Sequence, residues 1–243
     1  MPPSNRVVAI QREAWAFGRQ LRASTLAQYE DEYGEKAPPP ALIGPEILRD
    51  FLGAKVTYDP LPLNLFAETT VDAGAPWVTI NSLTARIDGV KDASGVQNVG
   101  VWHEAIHVVR DLHSIRVGPQ AALPGMPVNP KIACHREKSV GSSRADWARE
   151  YFAEEAGRAA AVSYPHLLET PAFQQFIERA QRRLASTASS WPLLYKAAEQ
   201  IGVNISALTK QLQEEGLLVI ERHNGRPILY PQPALWDLMV VSE

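Results

Sequence analysis

The strongest constraint on this chain is an apolar helical stretch that contains two histidines and a glutamate. Residues 99–112 read VGVWHEAIHVVRDL, and His103, Glu104 and His107 within them form an H-E-x-x-H string. On a helix the two histidines lie one turn apart and face the same way. Apolar side chains cover most of the other faces, which predicts a buried helix: Val101, Trp102, Ala105, Ile106, Val108, Val109 and Leu112. Buried imidazoles and a buried carboxylate need a metal, water or a hydrogen-bond network.

This pattern predicts a metal centre. Two imidazoles at this spacing can hold one Zn²⁺, and the intervening Glu104 can act as general base for an attacking water. The alternative is a structural pair of histidines without metal. We favour the metal interpretation because the motif lies in the middle of an apolar helix and not in a polar loop. Zn²⁺ is the expected ion, with Mn²⁺ as the alternative.

A second predicted helix offers the third ligand that such a site requires. Residues 145–162 read ADWAREYFAEEAGRAAAV and have strong helical propensity. One face carries carboxylates among small residues that would let another helix approach closely: Glu150, Ala153, Glu154, Gly157 and Ala161. We prefer this interpretation to a solvated acidic stripe because the histidine pair needs a further ligand. Glu150 is the preferred ligand and Glu154 is expected beside it, whereas Asp146 would reach less far.

A rival third ligand is His113, ten residues after His103 as in metzincins. That pattern needs a glycine to break the helix, and Arg110 stands at the glycine position. If the helix simply continues, His113 lies ~15 Å along the axis from His103 and cannot share its metal. Asp111, four residues after His107, is interpreted as a helix-end carboxylate or as a partner of the ligand. Glu150, Glu154, Asp146 and His113 all stay open as third ligands.

Composition limits the kinds of partner that this chain is expected to bind. The chain has 243 residues with a net charge of −3, so no global attraction to nucleic acid or to an anionic membrane is expected. A single cysteine excludes an intramolecular disulfide framework. No run approaches a membrane span and the first residues lack a signal-peptide core. These features predict a cytoplasmic protein with no membrane partner.

The fold class that we predict is α+β. Residues 1–36 are predicted as an N-terminal helix packed on the core, and residues 37–165 as a small zincin-like metallopeptidase domain, mostly helical with a short mixed sheet. Within that domain, strands are predicted at Lys55–Asp59 and Trp77–Asn81, with a loop or hairpin between them. Trp77–Asn81 is expected to be an edge strand that pairs with extended substrate. The long stretch 117–143 is predicted to be irregular, as in a lid or substrate-binding loop.

Residues 166–243 are predicted to form a helical, winged-helix-like C-terminal domain. A helix, a turn, a second helix capped by Ser206, and a hairpin with an Asn-Gly turn follow one another. The second helix has a thin basic footprint because Lys210 is followed closely by Glu214 and Glu215. DNA binding is therefore only weakly supported, and protein docking or capping of the domain is the alternative role.

In order as well as in motif, the chain resembles the ImmA/IrrE family of bacterial metallopeptidases over roughly residues 41–165. The segments that carry the resemblance are PEILRDFLGAKVTYD, WVTIN, VGVWHEAIHVV and, starting at Glu150, EYFAEEAG followed by SYP. The family form of the last helix is E-x-x-A-x-x-F-A. An alternative register starting at Asp146 matches its Phe-Ala but puts Asp in place of Glu and Arg149 in place of Ala.

The resemblance implies a zinc endopeptidase. Members of this family resemble one another in cutting helix-turn-helix repressors, which releases stress-response or mobile-element genes. Carried over, His103, His107 and Glu150 would be zinc ligands and Glu104 the general base. The protein substrate would then be a repressor. Some relatives carry a helix-turn-helix segment beside the peptidase core, to which residues 191–230 would correspond. The competing interpretation is a DNA- or protein-binding regulator whose metal is structural or sensory.

Overall fold

A computed structural model describes residues 5–72, 75–111, 131–135, 144–181, 187–223, 226–232 and 234–235. The fold is mixed α+β and mostly helical, as the sequence predicts. The helices are α1 (Asn5–Tyr33), α2 (Pro40–Ile43), α3 (Ala93–Ile106), α4 (Arg144–Ala161), α5 (Tyr164–Glu169), α6 (Pro171–Gln181), α7 (Thr187–Gln200) and α8 (Ile205–Glu214). Short π-helical turns occupy Ile47–Phe51 and His107–Asp111, and a 3-10 turn occupies Thr84–Arg86.

Six strands form two sheets among the described residues. The strands are β1 (Lys55–Asp59), β2 (Leu65–Asp72), β3 (Ala75–Asn81), β4 (Lys131–His135), β5 (Leu218–His223) and β6 (Arg226–Pro231). The first four form one mixed sheet in the order β1–β3–β2–β4, in which β1 and β3 are parallel and the other neighbours are antiparallel. The last two form an antiparallel hairpin.

The sheet corrects two expectations. The segment Trp77–Asn81 belongs to β3, which lies between β1 and β2, so the prediction of an edge strand there is wrong. The stretch 117–143, predicted to be irregular, contains β4, which extends the sheet beside β2. Both errors have one cause, since strand order depends on pairing between distant segments and leaves no mark on local periodicity.

Helix α3 packs across the sheet. It begins at the N-cap Asp92, whose Oδ1 accepts a hydrogen bond from the Gly95 backbone N–H at 2.8 Å. Side chains at alternate positions of β3 and β2 are buried beneath it: Val78, Ile80, Leu65, Ala67 and Thr69. This alternation is the period of two expected where one face of a sheet covers a core. The H-E-x-x-H residues lie at the C-terminal end of α3.

Helix α4 is packed tightly between α3 and α1. A Cβ atom on Gly157 would lie 2.8 Å from both the Cα and the backbone N of His103, so only glycine allows this approach. On another side of α4, a Cβ on Gly18 of α1 would lie 2.1 Å from the Ala156 carbonyl oxygen. The predicted close approach of a second helix to the motif is therefore confirmed at Gly157.

The C-terminal part shares its buried residues with the rest of the chain. One cluster of buried apolar side chains runs from Ala41 to Leu235, so it includes residues on both sides of the predicted boundary at 165. That boundary stays a prediction. Asn204, and not Ser206, caps α8, because its side chain accepts a hydrogen bond from the Ala207 N–H. Among the described residues, no helix combines the length and apolar character needed to cross a membrane.

Candidate metal centre

Three side chains from two helices converge at the C-terminal end of α3. The Nε2 atoms of His103 and His107 lie 3.0 Å apart. From α4, Glu150 places Oε2 at 3.5 Å from His103 Nε2 and Oε1 at 3.6 Å from His107 Nε2. One ligand atom from each residue falls within 4.8 Å of the others, so the group could hold a metal ion.

The donor set and the spacing both fit a divalent ion. Two imidazoles and one carboxylate are the ligands of many catalytic zinc sites. Ligand atoms at tetrahedral angles and about 2.0–2.1 Å from a metal lie roughly 3.3 Å from one another, which falls within the range observed here. Both histidines are buried, whereas the Glu150 side chain keeps 34% of its surface exposed. The group is therefore partly exposed on the side of Glu150.

Asp111 orients the second histidine. Its Oδ2 lies 2.7 Å from His107 Nδ1, four residues earlier on the π-helical turn. A carboxylate on Nδ1 leaves Nε2 as the atom that faces His103 and Glu150, which is the usual arrangement behind a metal-binding histidine. The contact agrees with the interpretation of Asp111 as a partner of the ligand.

Glu104 lies fully buried next to the histidine pair. Its Oε2 accepts a hydrogen bond from the Thr69 hydroxyl on β2. Its Oε1 has no hydrogen-bond partner among the described residues. Burial raises the pKa of Glu104, although the neighbouring histidines and the Thr69 hydrogen bond oppose the shift. A carboxylate with a raised pKa and a free oxygen is suited to accepting a proton.

The charges of Glu150 and His107 influence each other. Burial would raise the pKa of Glu150, but its interactions with the imidazoles of His103 and His107 hold that pKa far below the ordinary value. Burial would lower the pKa of His107, but the carboxylates of Asp111 and Glu150 raise it. In the metal-free protein, a proton on His107 is therefore favoured and supplies positive charge beside the Glu150 carboxylate.

The structure brings together His103, Glu104, His107 and Glu150; their roles as ligands and base stay predictions. Glu154, expected beside the ligand, instead forms an ion pair with Lys210 at 2.6 Å and is 45% exposed, so that expectation is wrong. The side chain of Asp146 and the whole of His113 lie outside the described residues.

Sequence reasoning missed Thr69 and Glu155. Thr69 lies on β2, inside a segment expected to be a loop or a hairpin. The available signal was the alternation along the sequence of Leu65, Ala67 and Thr69, which are buried, with residues that are not. Glu155 is fully buried on α4 although it follows Glu154 directly. The i,i+3 spacing of Glu155 and Arg158 was the available hint of a buried ion pair.

Helix α8, which would be the recognition helix of a winged-helix domain, turns part of its polar surface toward the rest of the protein. Lys210 pairs with Glu154, and Gln211, which is buried, accepts a hydrogen bond from Arg158 Nε at 3.1 Å. Both residues face α4. The weak basic footprint expected for this helix is therefore weaker still.

Comparison with protein-family models, curated proteins and solved structures finds no match to this chain. The arrangement of the site residues is accordingly the basis for assigning a function.

Proposed function

We propose that the protein is a metal-dependent endopeptidase, with zinc as the metal held by His103, His107 and Glu150. One observation carries the proposal: the buried carboxylate of Glu104, with one oxygen that has no partner among the described residues, lies next to three convergent ligand atoms. Leaving an acceptor unpaired in the interior costs about 1–3 kcal/mol, so a purely structural role would be an expensive use of it.

Each residue has a distinct task in this proposal. Zinc, when bound, would polarise the scissile carbonyl and make water more acidic. Glu104 takes the proton of the attacking water through its free oxygen and passes it to the leaving amine. Thr69 holds the other oxygen of that carboxylate, and Asp111 holds the ring of His107.

The proposed substrate is a protein, and the resemblance to the ImmA/IrrE family suggests a helix-turn-helix repressor. The revised strand order supports an extended substrate beside β4 rather than beside β3. Among the described strands, β4 stands at one end of the sheet and is paired with β2, which also carries Thr69. A peptide added at an open sheet edge gains main-chain hydrogen bonds.

The test is cleavage of a candidate repressor by the purified protein with Zn²⁺ or Mn²⁺. Loss of a general base lowers the rate by about 10²–10⁴-fold, so Glu104→Gln is expected to cleave at least a hundredfold more slowly with unchanged metal content. Glu154→Gln is the matched control, because Glu154 is an exposed carboxylate on the neighbouring helix. Cleavage by Glu104→Gln at the wild-type rate would overturn the mechanism. A purified protein that takes up no metal would overturn the metal site.

A further inference from the structure

Glu155, a buried carboxylate on α4, is contacted by donors from three helices. Glu155 Oε2 accepts hydrogen bonds from Gln11 Nε2 and Trp15 Nε1 on α1, each at 3.1 Å. The same oxygen lies 2.5 Å from Arg158 Nη2, and Oε1 lies 3.4 Å from Lys210 Nζ on α8. We call these five residues the Glu155 cluster. They tie α1 and α8 to α4.

Arg158 extends the connection to α8. It is nearly as buried as Glu155, and its guanidinium donates to Gln211 Oε1 at 3.1 Å and to the carboxylate of Glu214. Both carboxylate oxygens of Glu155 thus have donors, and Arg158 contacts two carboxylates and one amide oxygen. The C-terminal helix is held against α4 by these contacts.

The cluster lies on the side of α4 that faces away from the histidines. At 100° per residue, Glu155 and Gly157 point roughly 200° apart around the helix. Gly157 lies against the backbone of His103, where it has no space for a Cβ. Helix α4 is therefore clamped between His103 on one side and the Glu155 cluster on the other. Glu150 is carried by the same helix, a little over one turn before Glu155.

We propose that Glu155 is a positioning residue for Glu150: by fixing the rotation and height of α4, it sets the distance between the Glu150 carboxylate and the two imidazoles. This inference rests on the metal site of the proposed function. A buried ion pair adds little stability over an apolar pair of similar volume, but its geometry is specific. The Glu155 cluster thus makes metal affinity depend on contacts from both α1 and α8.

The experiment measures metal affinity of the full chain, with Co²⁺ and Zn²⁺ titrated against a chromophoric chelator. Loss of a group that hydrogen-bonds to a metal ligand costs about 10–100-fold in metal affinity. Because Glu155 acts on Glu150 through helix α4, we expect the lower end for Glu155→Gln, roughly tenfold. The visible absorption of bound Co²⁺ should also change, since it reports ligand geometry. The control is a variant of Ile177, which is buried on α6, a helix packed mainly against α5 and α7. The control is whichever of Ile177→Val and Ile177→Ala lowers the thermal midpoint of unfolding by about as much as Glu155→Gln does.

A milder variant guards against failure to fold. Trp15→Phe removes one N–H donor to Glu155 and keeps most of the aromatic surface, and it should weaken metal binding several-fold. If both variants bind metal as tightly as the wild type, the positioning role is overturned and the proposed function is untouched. If they bind more weakly but the wild type cleaves no protein, the positioning role stands and the endopeptidase is overturned. A wild type that binds no metal overturns both.

Discussion

Helix α4 contributes to two groups of charged side chains, the Glu155 cluster and the metal centre. The two groups differ in how many of their buried polar atoms have hydrogen-bond partners. In the Glu155 cluster, the central carboxylate receives four donors from three helices. At the metal centre, Glu104 has a single hydrogen bond and one unpaired oxygen among the described residues. The carboxylate of the first group is thus satisfied by protein donors, whereas the second group could still hold a metal ion.

The pKa directions of the two buried glutamates express the same difference. Burial raises the pKa of both carboxyls, but in Glu155 the cations of Arg158 and Lys210 outweigh it and the pKa falls below the ordinary value. In Glu104 the effect of burial prevails and the pKa rises. Burial of both side chains is therefore combined with a stabilised ionised form in Glu155 and a stabilised protonated form in Glu104, each relative to an exposed glutamate.

The largest expected effect on stability separates the two groups directly. Arg158→Met leaves the carboxylates of Glu155 and Glu214 without their main cation, and we expect a loss of about 3–5 kcal/mol in the free energy of unfolding. Glu104→Gln should cost at most about 1 kcal/mol, because an amide oxygen can still accept from Thr69. Urea unfolding of the metal-free variants measures both values. Equal losses would remove the distinction drawn between the groups.

A smaller effect is expected at the contact between α4 and α3. Gly157→Ala would bring a Cβ within 2.8 Å of the His103 backbone, and such overpacking costs about 1–3 kcal/mol. It should also weaken Zn²⁺ binding, because Glu150 moves away with α4. Gly100→Ala is the matched control on α3, since an added Cβ there meets nothing within 4 Å and gains up to about 1 kcal/mol of helix propensity. Thermal unfolding should show shifts of opposite sign for the two alanines, and chelator competition should show weaker Zn²⁺ binding for Gly157→Ala alone.

The smallest effect is a pH dependence of the metal-free protein. The carboxylates of Asp111 and Glu150 outweigh burial and raise the pKa of His107 above its ordinary value of 6.5. A raised pKa in the folded state gives stability that is complete below pH 6.5 and is lost as the pH rises through the folded pKa. Between pH 6 and 8.5, the free energy of unfolding should therefore fall more for the wild type than for Asp111→Asn. Urea titrations with a chelator present test this, and parallel curves would refute it.

Local patterns were enough to predict helices at the H-E-x-x-H motif and at Glu150, and the residues that meet at the site. His103 and His107 face one way because of helical periodicity, and Glu150 was placed by the small residues that follow it in register. These features depend on spacing within one helix, which the sequence displays. The α+β class was also accessible, since periodic helical and alternating segments follow one another along the chain.

Features that depend on distant pairing were not accessible. The central place of β3 and the existence of β4 follow from contacts between separate segments. The same holds for the partners of Glu154 and Glu155: adjacent glutamates on one helix look alike in sequence, but one faces Lys210 near solvent and the other is fully buried. The exchange of Ser206 for Asn204 as the cap of α8 is a shift of only two residues, within the usual error for helix ends.

The Glu155 cluster also joins segments of the chain that are synthesised at different times. Its hydrogen bond to Gln11 spans 144 residues, and its ion pair to Lys210 spans 55. Because the ribosome releases the chain from its N-terminus, both histidines and Glu150 emerge well before α8 does. A nascent chain would then carry the proposed metal ligands before the contacts from α8 that hold α4 are in place.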